Sequence, residues 1–224
     1  MIRKGKMYYP FGKYYIVPLG KWMAKLLKHT PLTPNKLTLL RTILAIATPV
    51  LICYGGFTNL LIFAIFVQFF HALDISDGQL AKLKNMRTKF GEWIDGITDK
   101  FVINLWMFTI AITLTIKQSN SIFLIAAMLY FLGKHLFIFS SLRSDVCFGD
   151  HIKKDSLKIR IKTNILSQIL LFFLEWDVQL HFLSITAILN KLEIFLFFYA
   201  IYFNLIWIAY IVYYSFKYLK NKLL

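Results

Sequence analysis

The stretch NLLIFAIFVQFFHALDISDGQLAKLKNMRTKFGEWIDGITD, Asn59–Asp99, passes without a break from an apolar run into a spaced set of acids. Through Leu73 it is apolar enough to lie in hydrocarbon. At Asp74 its character changes: Asp74, Asp77, Gly78 and Ala81 stand at i, i+3, i+4 and i+7, which is one face of a helix. A basic connection follows, and then Gly91, Asp95 and Asp99 stand at i, i+4 and i+8, again one face, at the start of the next apolar run. This pattern predicts a membrane helix that carries acids at its end and returns as an antiparallel neighbour, so that four carboxylates converge.

Working outward, 58% of the 224 residues are hydrophobic and 17% aromatic, too much apolar surface for one soluble core. About 20 residues cross a hydrocarbon core of about 30 Å. Runs of that kind lie near 37–57, 59–73, 97–116, 121–142, 177–190 and 194–216. The expected fold is an all-α integral membrane protein with about six transmembrane helices. The fifth run is the weakest, because Glu175, Asp177 and His181 interrupt it and ionisable groups at depth are costly. Splitting it leaves Leu157–Leu174 as an arm along the membrane surface and a short span from near Asp177.

Residues 1–36 form an N-terminal cytoplasmic or interfacial arm and 37–224 the membrane domain. In the arm, Leu19, Trp22, Met23, Leu26 and Leu27 recur at helical spacing opposite Lys21, Lys25 and Lys28, with Pro18 in the first turn. That is the pattern of an amphipathic interfacial helix. The turn Thr30-Pro31-Leu32-Thr33-Pro34-Asn35 follows, with Asn35 as the expected cap of the first span.

The net charge is +15, but its placement argues against nucleic acid, since Lys and Arg cluster between alternate pairs of spans. They precede the first span, follow the second and fourth, and close the chain, while the opposite side has little beyond Lys117 and Lys191. The positive-inside rule then puts both termini and the acidic motif on the cytoplasmic face of a multi-pass protein, with the cell (inner) membrane as the expected location. The basic excess serves topology and contact with anionic lipids. Cys53 and Cys147 lack partners at metal-ligand or disulfide spacing, His151 being only a weak companion to Cys147. No cleavable signal is evident at the N-terminus.

Four anions gathered at the edge of a membrane must take up protons or hold cations. Carboxylate oxygens suit Mg²⁺ or Mn²⁺, and two such ions clamp a pyrophosphate well. Gly78, Ala81 and Gly91 leave room for a phosphate-bearing ligand. Isolated acids beyond a span are often merely solvated, or face a helix N-terminus. Four on matched faces, with small residues between them, favour the metal site.

These residues resemble the signature of the CDP-alcohol phosphatidyltransferase family: D-x-x-D-G-x-x-A-R, eight residues, then G-x-x-x-D-x-x-x-D. Every spacing agrees from Asp74 to Asp99, and one position departs, Lys82 standing where the family has Arg. The resemblance implies transfer of a substituted phosphoryl group from a CDP-linked donor to an acceptor alcohol with release of CMP, in phospholipid biosynthesis. It implies two divalent ions, Mg²⁺ or Mn²⁺, on Asp74, Asp77, Asp95 and Asp99, with Asp99 also able to act as the base. Asp74, Gly78, Ala81, Lys82 and Gly91 would lie along the nucleotide. A homodimer is implied as well. Lys82 keeps the charge but loses the planar fork of Arg.

For the acceptor, the ionisable residues in or at the end of the fourth span, Lys134, His135 and Arg143, are the candidates. Asp177 with His181 reads as a packing pair, and Asn104 and Asn204 as interhelical hydrogen-bonding groups. The donor stays open between CDP-diacylglycerol and another CDP-alcohol. The acceptor stays open among serine, glycerol phosphate, inositol phosphate, choline and ethanolamine. A cation transporter or a non-catalytic scaffold are the competing classes. A cluster at the end of a span is misplaced for a midplane transport site, and a scaffold leaves the acid spacing unexplained.

Overall fold

The structure is a computed structural model that describes residues 9–148 and 172–222, and every regular element among them is a helix. In chain order these are α1 (Ile16–Leu27), α2 (Pro34–Ala47), α3 (Pro49–Tyr54), α4 (Gly56–Leu83), α5 (Lys89–Gln118), α6 (Ile122–Phe148), α7 (Trp176–Ile188) and α8 (Leu192–Lys222).

Local chemistry sets their ends. Thr33 is extended, and its hydroxyl accepts from the Lys36 N–H at 3.4 Å, with Pro34 at the first helical position. Thr33, not Asn35, therefore caps α2. A residue before proline is pushed to extended backbone, which is the geometry a cap requires. Pro49 ends the α2 ladder because it has no N–H to give, so the first span is two helices in line. Thr88 caps α5 by accepting from Gly91 N–H at 2.9 Å.

Five stretches are long and apolar enough to cross a membrane: Pro34–Tyr54, Gly56–Leu83, Lys89–Gln118, Ile122–Ser144 and Leu192–Phe216. The expected run at 177–190 is the 13-residue helix α7, roughly 20 Å long and short of a full crossing by itself. Its far end lies with the ends of the other spans, since Asn190–Glu193 line a cavity with Gly55, Lys117 and Gln118. Its near end meets α4 at His71. The expected surface arm at 157–174 falls almost wholly outside the described residues, as does His151.

At the centre, α4 packs against α1, α2 and α7; α2 lies between α4 and α5; α5 leans on α6, and α6 on α8. Apolar contact drives little association between helices in lipid, so shape and interhelical hydrogen bonds decide the packing. Phe63 and Phe70 of α4 meet Trp106 of α5 edge-on, each at 5.5 Å between centroids. The Trp106 indole N–H reaches across to the Thr48 hydroxyl at 2.7 Å, at the joint of α2 and α3.

The N-terminal helix keeps the expected basic and apolar faces, with Trp22 and Leu26 exposed. It also has a third face, Ile16, Gly20 and Ala24, buried against α4. A Cβ on Gly20 would lie 2.7 Å from the Ala72 carbonyl oxygen, so glycine permits this approach. Lys84 fastens the following turn to the end of α4, donating to the carbonyls of Thr30 and Leu32 at 2.6 and 2.8 Å.

Candidate active site

Because α4 continues as one helix through Leu83, Asp74, Asp77, Gly78 and Ala81 keep their common face. Asp95 and Asp99 stand one turn apart near the start of α5. What brings these faces to one point is α2, wedged between them, which presents Asn35, Thr38 and Arg41 at i, i+3 and i+6.

The Arg41 side chain is fully buried and meets all four acids. Its Nη1 lies 2.9 Å from Asp74 and 2.9 Å from Asp99, its Nε lies 3.1 Å from Asp77, and its Nη2 pairs with Asp95. The plane sits over the Phe70 ring at 5.0 Å. Nε and Nη1 are at ion-pair distance without the alignment of a hydrogen bond, so for those carboxylates Arg41 supplies charge more than directed bonding. Thr38 adds a directed bond, its hydroxyl donating to Asp77 Oδ2 at 2.8 Å.

Four carboxylates against one guanidinium leave the cluster short of positive charge. Oxygens of Asp74, Asp95 and Asp99 lie within 4.8 Å of one another. An all-oxygen set gathered this closely fits a hard divalent cation. Asp77 is turned toward Thr38 and Arg41.

A cavity of about 230 Å³ opens beside the cluster, walled by Asp74, Asp77 and Asp95 together with Gly78, Ala81, Lys82, Gly91, Asn35 and Thr38. Asp95 is the most open acid, 37% exposed at its side chain, whereas Asp99 is 18% exposed and lies one turn beyond the cavity wall. A Cβ at Gly78 would meet nothing within 4 Å, so the space there belongs to the cavity. At Gly91 a Cβ would meet Asn35 Oδ1 at 2.9 Å, so this glycine also admits α2. Tyr9 forms part of the wall. Burial first, and then the nearby Asp74, raise its phenol above the ordinary value, which keeps it a neutral hydroxyl.

Every nucleotide-side and metal-side candidate from the sequence thus lies in or beside one site. The acceptor candidates do not come together. Lys134 is buried, its ammonium donating to the Tyr130 hydroxyl and lying over the Tyr130 and Phe203 rings at 4.8 and 5.7 Å. His135 is exposed, stacked on Phe131 and hydrogen-bonded to its carbonyl. Arg143 is exposed at the end of α6. Nine residues at about 100° each put Lys134 and Arg143 on opposite faces of one helix, and none of the three lines the cavity.

Sequence reasoning missed Arg41 and Thr38. The signal was present: an arginine four residues inside an apolar run requires buried partners, and four acids were in want of a cation. Asn204 does bridge helices as expected, donating to the Leu129 carbonyl at 2.7 Å. Both cysteines are free.

No curated protein matches the chain. The family model for CDP-alcohol phosphatidyltransferases matches residues 31–217, a stretch that takes in α2, the acid cluster and all the long helices. With most of its length covered, the chain belongs to the CDP-alcohol phosphatidyltransferase family, membrane transferases of phospholipid synthesis.

Proposed function

We propose that the protein transfers a phosphatidyl or similar substituted phosphoryl group from a CDP-linked donor to an acceptor alcohol, with two divalent ions at the aspartate cluster. The observation that carries this reading is the meeting of four acids around Arg41, three of them, Asp74, Asp77 and Asp95, in the wall of a cavity that Gly78, Ala81, Lys82, Arg87 and Gly91 also line. Asp74, Asp95 and Asp99, with Asp77, would hold Mg²⁺ or Mn²⁺. Bound there, the ions supply neutralisation of the pyrophosphate and of the departing CMP.

The rest falls to the chain itself. Lys82 and the open face at Gly78 and Ala81 receive the diphosphate, with Gly91 and Asn35 at the rim. Arg41 holds the four carboxylates in register from α2, so that they converge before substrate arrives. The acceptor oxygen attacks the phosphorus that bears the alcohol or lipid, the bond from that phosphorus to the CMP oxygen breaks, and the hydroxyl proton passes to Asp99. Asp99 suits that role by its place one turn past Asp95 and less open than it, 2.9 Å from the Arg41 guanidinium.

The basic loops favour a cytoplasmic face for this site, in the cell (inner) membrane, with the chain working as a homodimer. The test is CMP release by purified protein in lipid, with CDP-diacylglycerol and smaller CDP-alcohols each crossed against serine, glycerol phosphate, inositol phosphate, choline and ethanolamine. Release with one donor and one acceptor supports the reading and names the substrates. A folded protein that releases CMP from none of the pairs would overturn it.

A further inference from the structure

Behind the aspartate cluster, one turn along α4 from Asp74, lies a second group of different chemistry. His71 of α4 and Asp177 and His181 of α7 offer ligand atoms within 4.8 Å of one another. The Asp177 Oδ1 is 3.4 Å from His181 Nδ1 and 3.7 Å from His71 Nδ1. Both separations are long for a hydrogen bond. They are close to the edge of a tetrahedron built on metal–ligand bonds of about 2.0–2.1 Å, which is roughly 3.4 Å.

One observation says that this group is unfinished: His71 is fully buried, and among the described residues neither of its ring nitrogens has a hydrogen-bond partner. His181 is held at both nitrogens, Nε2 meeting the Tyr15 hydroxyl and Nδ1 donating to the Asp177 carbonyl oxygen at 2.6 Å, with the Asp177 carboxylate 3.4 Å away. The Nδ1 proton is the one a metal ion at this point would displace.

We propose that His71, Asp177 and His181 form a second metal site, for a divalent transition ion of the Zn²⁺ class, separate from the all-oxygen aspartate cluster. Two imidazoles and one carboxylate select such an ion over Mg²⁺. Each outer contact fits the role. Tyr15 occupies the other nitrogen of His181, and the backbone N–H groups of Phe11 and Gly12 donate to the Asp177 carboxylate at 2.8 and 3.1 Å, as second-shell partners do. Burial and then Asp177 hold the Tyr15 phenol above its ordinary value, so it stays a hydroxyl. The ion would lock α7 and the segment before α1 onto α4, behind the Tyr9 wall of the cavity.

The test uses full-length protein in lipid nanodiscs, stripped with chelator and kept in excess Mg²⁺ while Co²⁺ alone is added. The site predicts a visible d–d absorption of a tetrahedral Co²⁺ centre, displaced by Zn²⁺, with one Zn²⁺ retained per chain by elemental analysis. His71→Ala and His181→Ala lose the absorption, Asp95→Asn keeps it, and Tyr15→Phe weakens Zn²⁺ binding about 10–100-fold. Wild-type protein that binds no Zn²⁺ in excess Mg²⁺, or the same binding in folded His71→Ala and His181→Ala, would overturn the proposal and leave a hydrogen-bonded clamp.

Discussion

Among the described residues, one arginine and one lysine are buried inside membrane helices, and they are held in opposite ways. Arg41 sits where α2, α4 and α5 meet and faces four carboxylates. Lys134 sits at the seam of α6 and α8 and faces a tyrosine hydroxyl and two aromatic rings, with no carboxylate at ion-pair distance among the described residues. An ionisable residue within a span is a signal of function only together with its partners. Arg41 has partners that tie three helices into one site, and Lys134 has partners that satisfy it where it stands.

That contrast can be broken by substitution. The largest effect belongs to the acid cluster: Asp99→Asn keeps shape but removes the proton acceptor, and CMP release is expected to fall by about 10²–10⁴-fold in folded protein. Next is Arg41→Met, which leaves four clustered carboxylates, two of them buried, without their cation and is expected to cost about 3–5 kcal/mol, read from thermal or denaturant unfolding in detergent. Lys134→Met should cost only about 1 kcal/mol, from the Tyr130 hydroxyl left without a partner. Equal losses at the two positions would mean that the carboxylates do not distinguish them.

The acid spacing and the long helices were legible in the sequence because both are periodic: apolar runs of spanning length, and acids at one helical turn. What lay hidden was the agent of convergence. The two acidic faces were expected to meet as direct neighbours, yet α2 stands between their backbones. Arg41 looked like one of the basic residues that orient the chain, although it falls inside the first apolar run. Thr38 and the small face of α1 were hidden for a related reason, since threonine, glycine and alanine in an apolar helix carry no periodic contrast.

His71 hid in the same way. It stands alone in its run, and its partners come from α7, more than a hundred residues on. Lys134, His135 and Arg143 show the converse. Nearness along a helix placed them together on paper, while 100° per residue points them apart.

The smallest expected effect is at Lys82, which lines the cavity where the family carries Arg. Lys82→Arg should support CMP release close to that of the native chain, with any change in the Michaelis constant for the donor, because the charge stays and only the fork is added. Loss of turnover despite normal folding would show that the pocket is built for lysine.

The most direct measurement of the central claim is CMP release in lipid as Mg²⁺ or Mn²⁺ is titrated into chelator-stripped protein, for the native chain and for Asp95→Asn at matched thermal stability. The account predicts release that requires the metal, saturates with it, and vanishes in the variant at every metal concentration. Release without added metal, or undiminished release by Asp95→Asn, would contradict a metal-dependent transferase at the aspartate cluster.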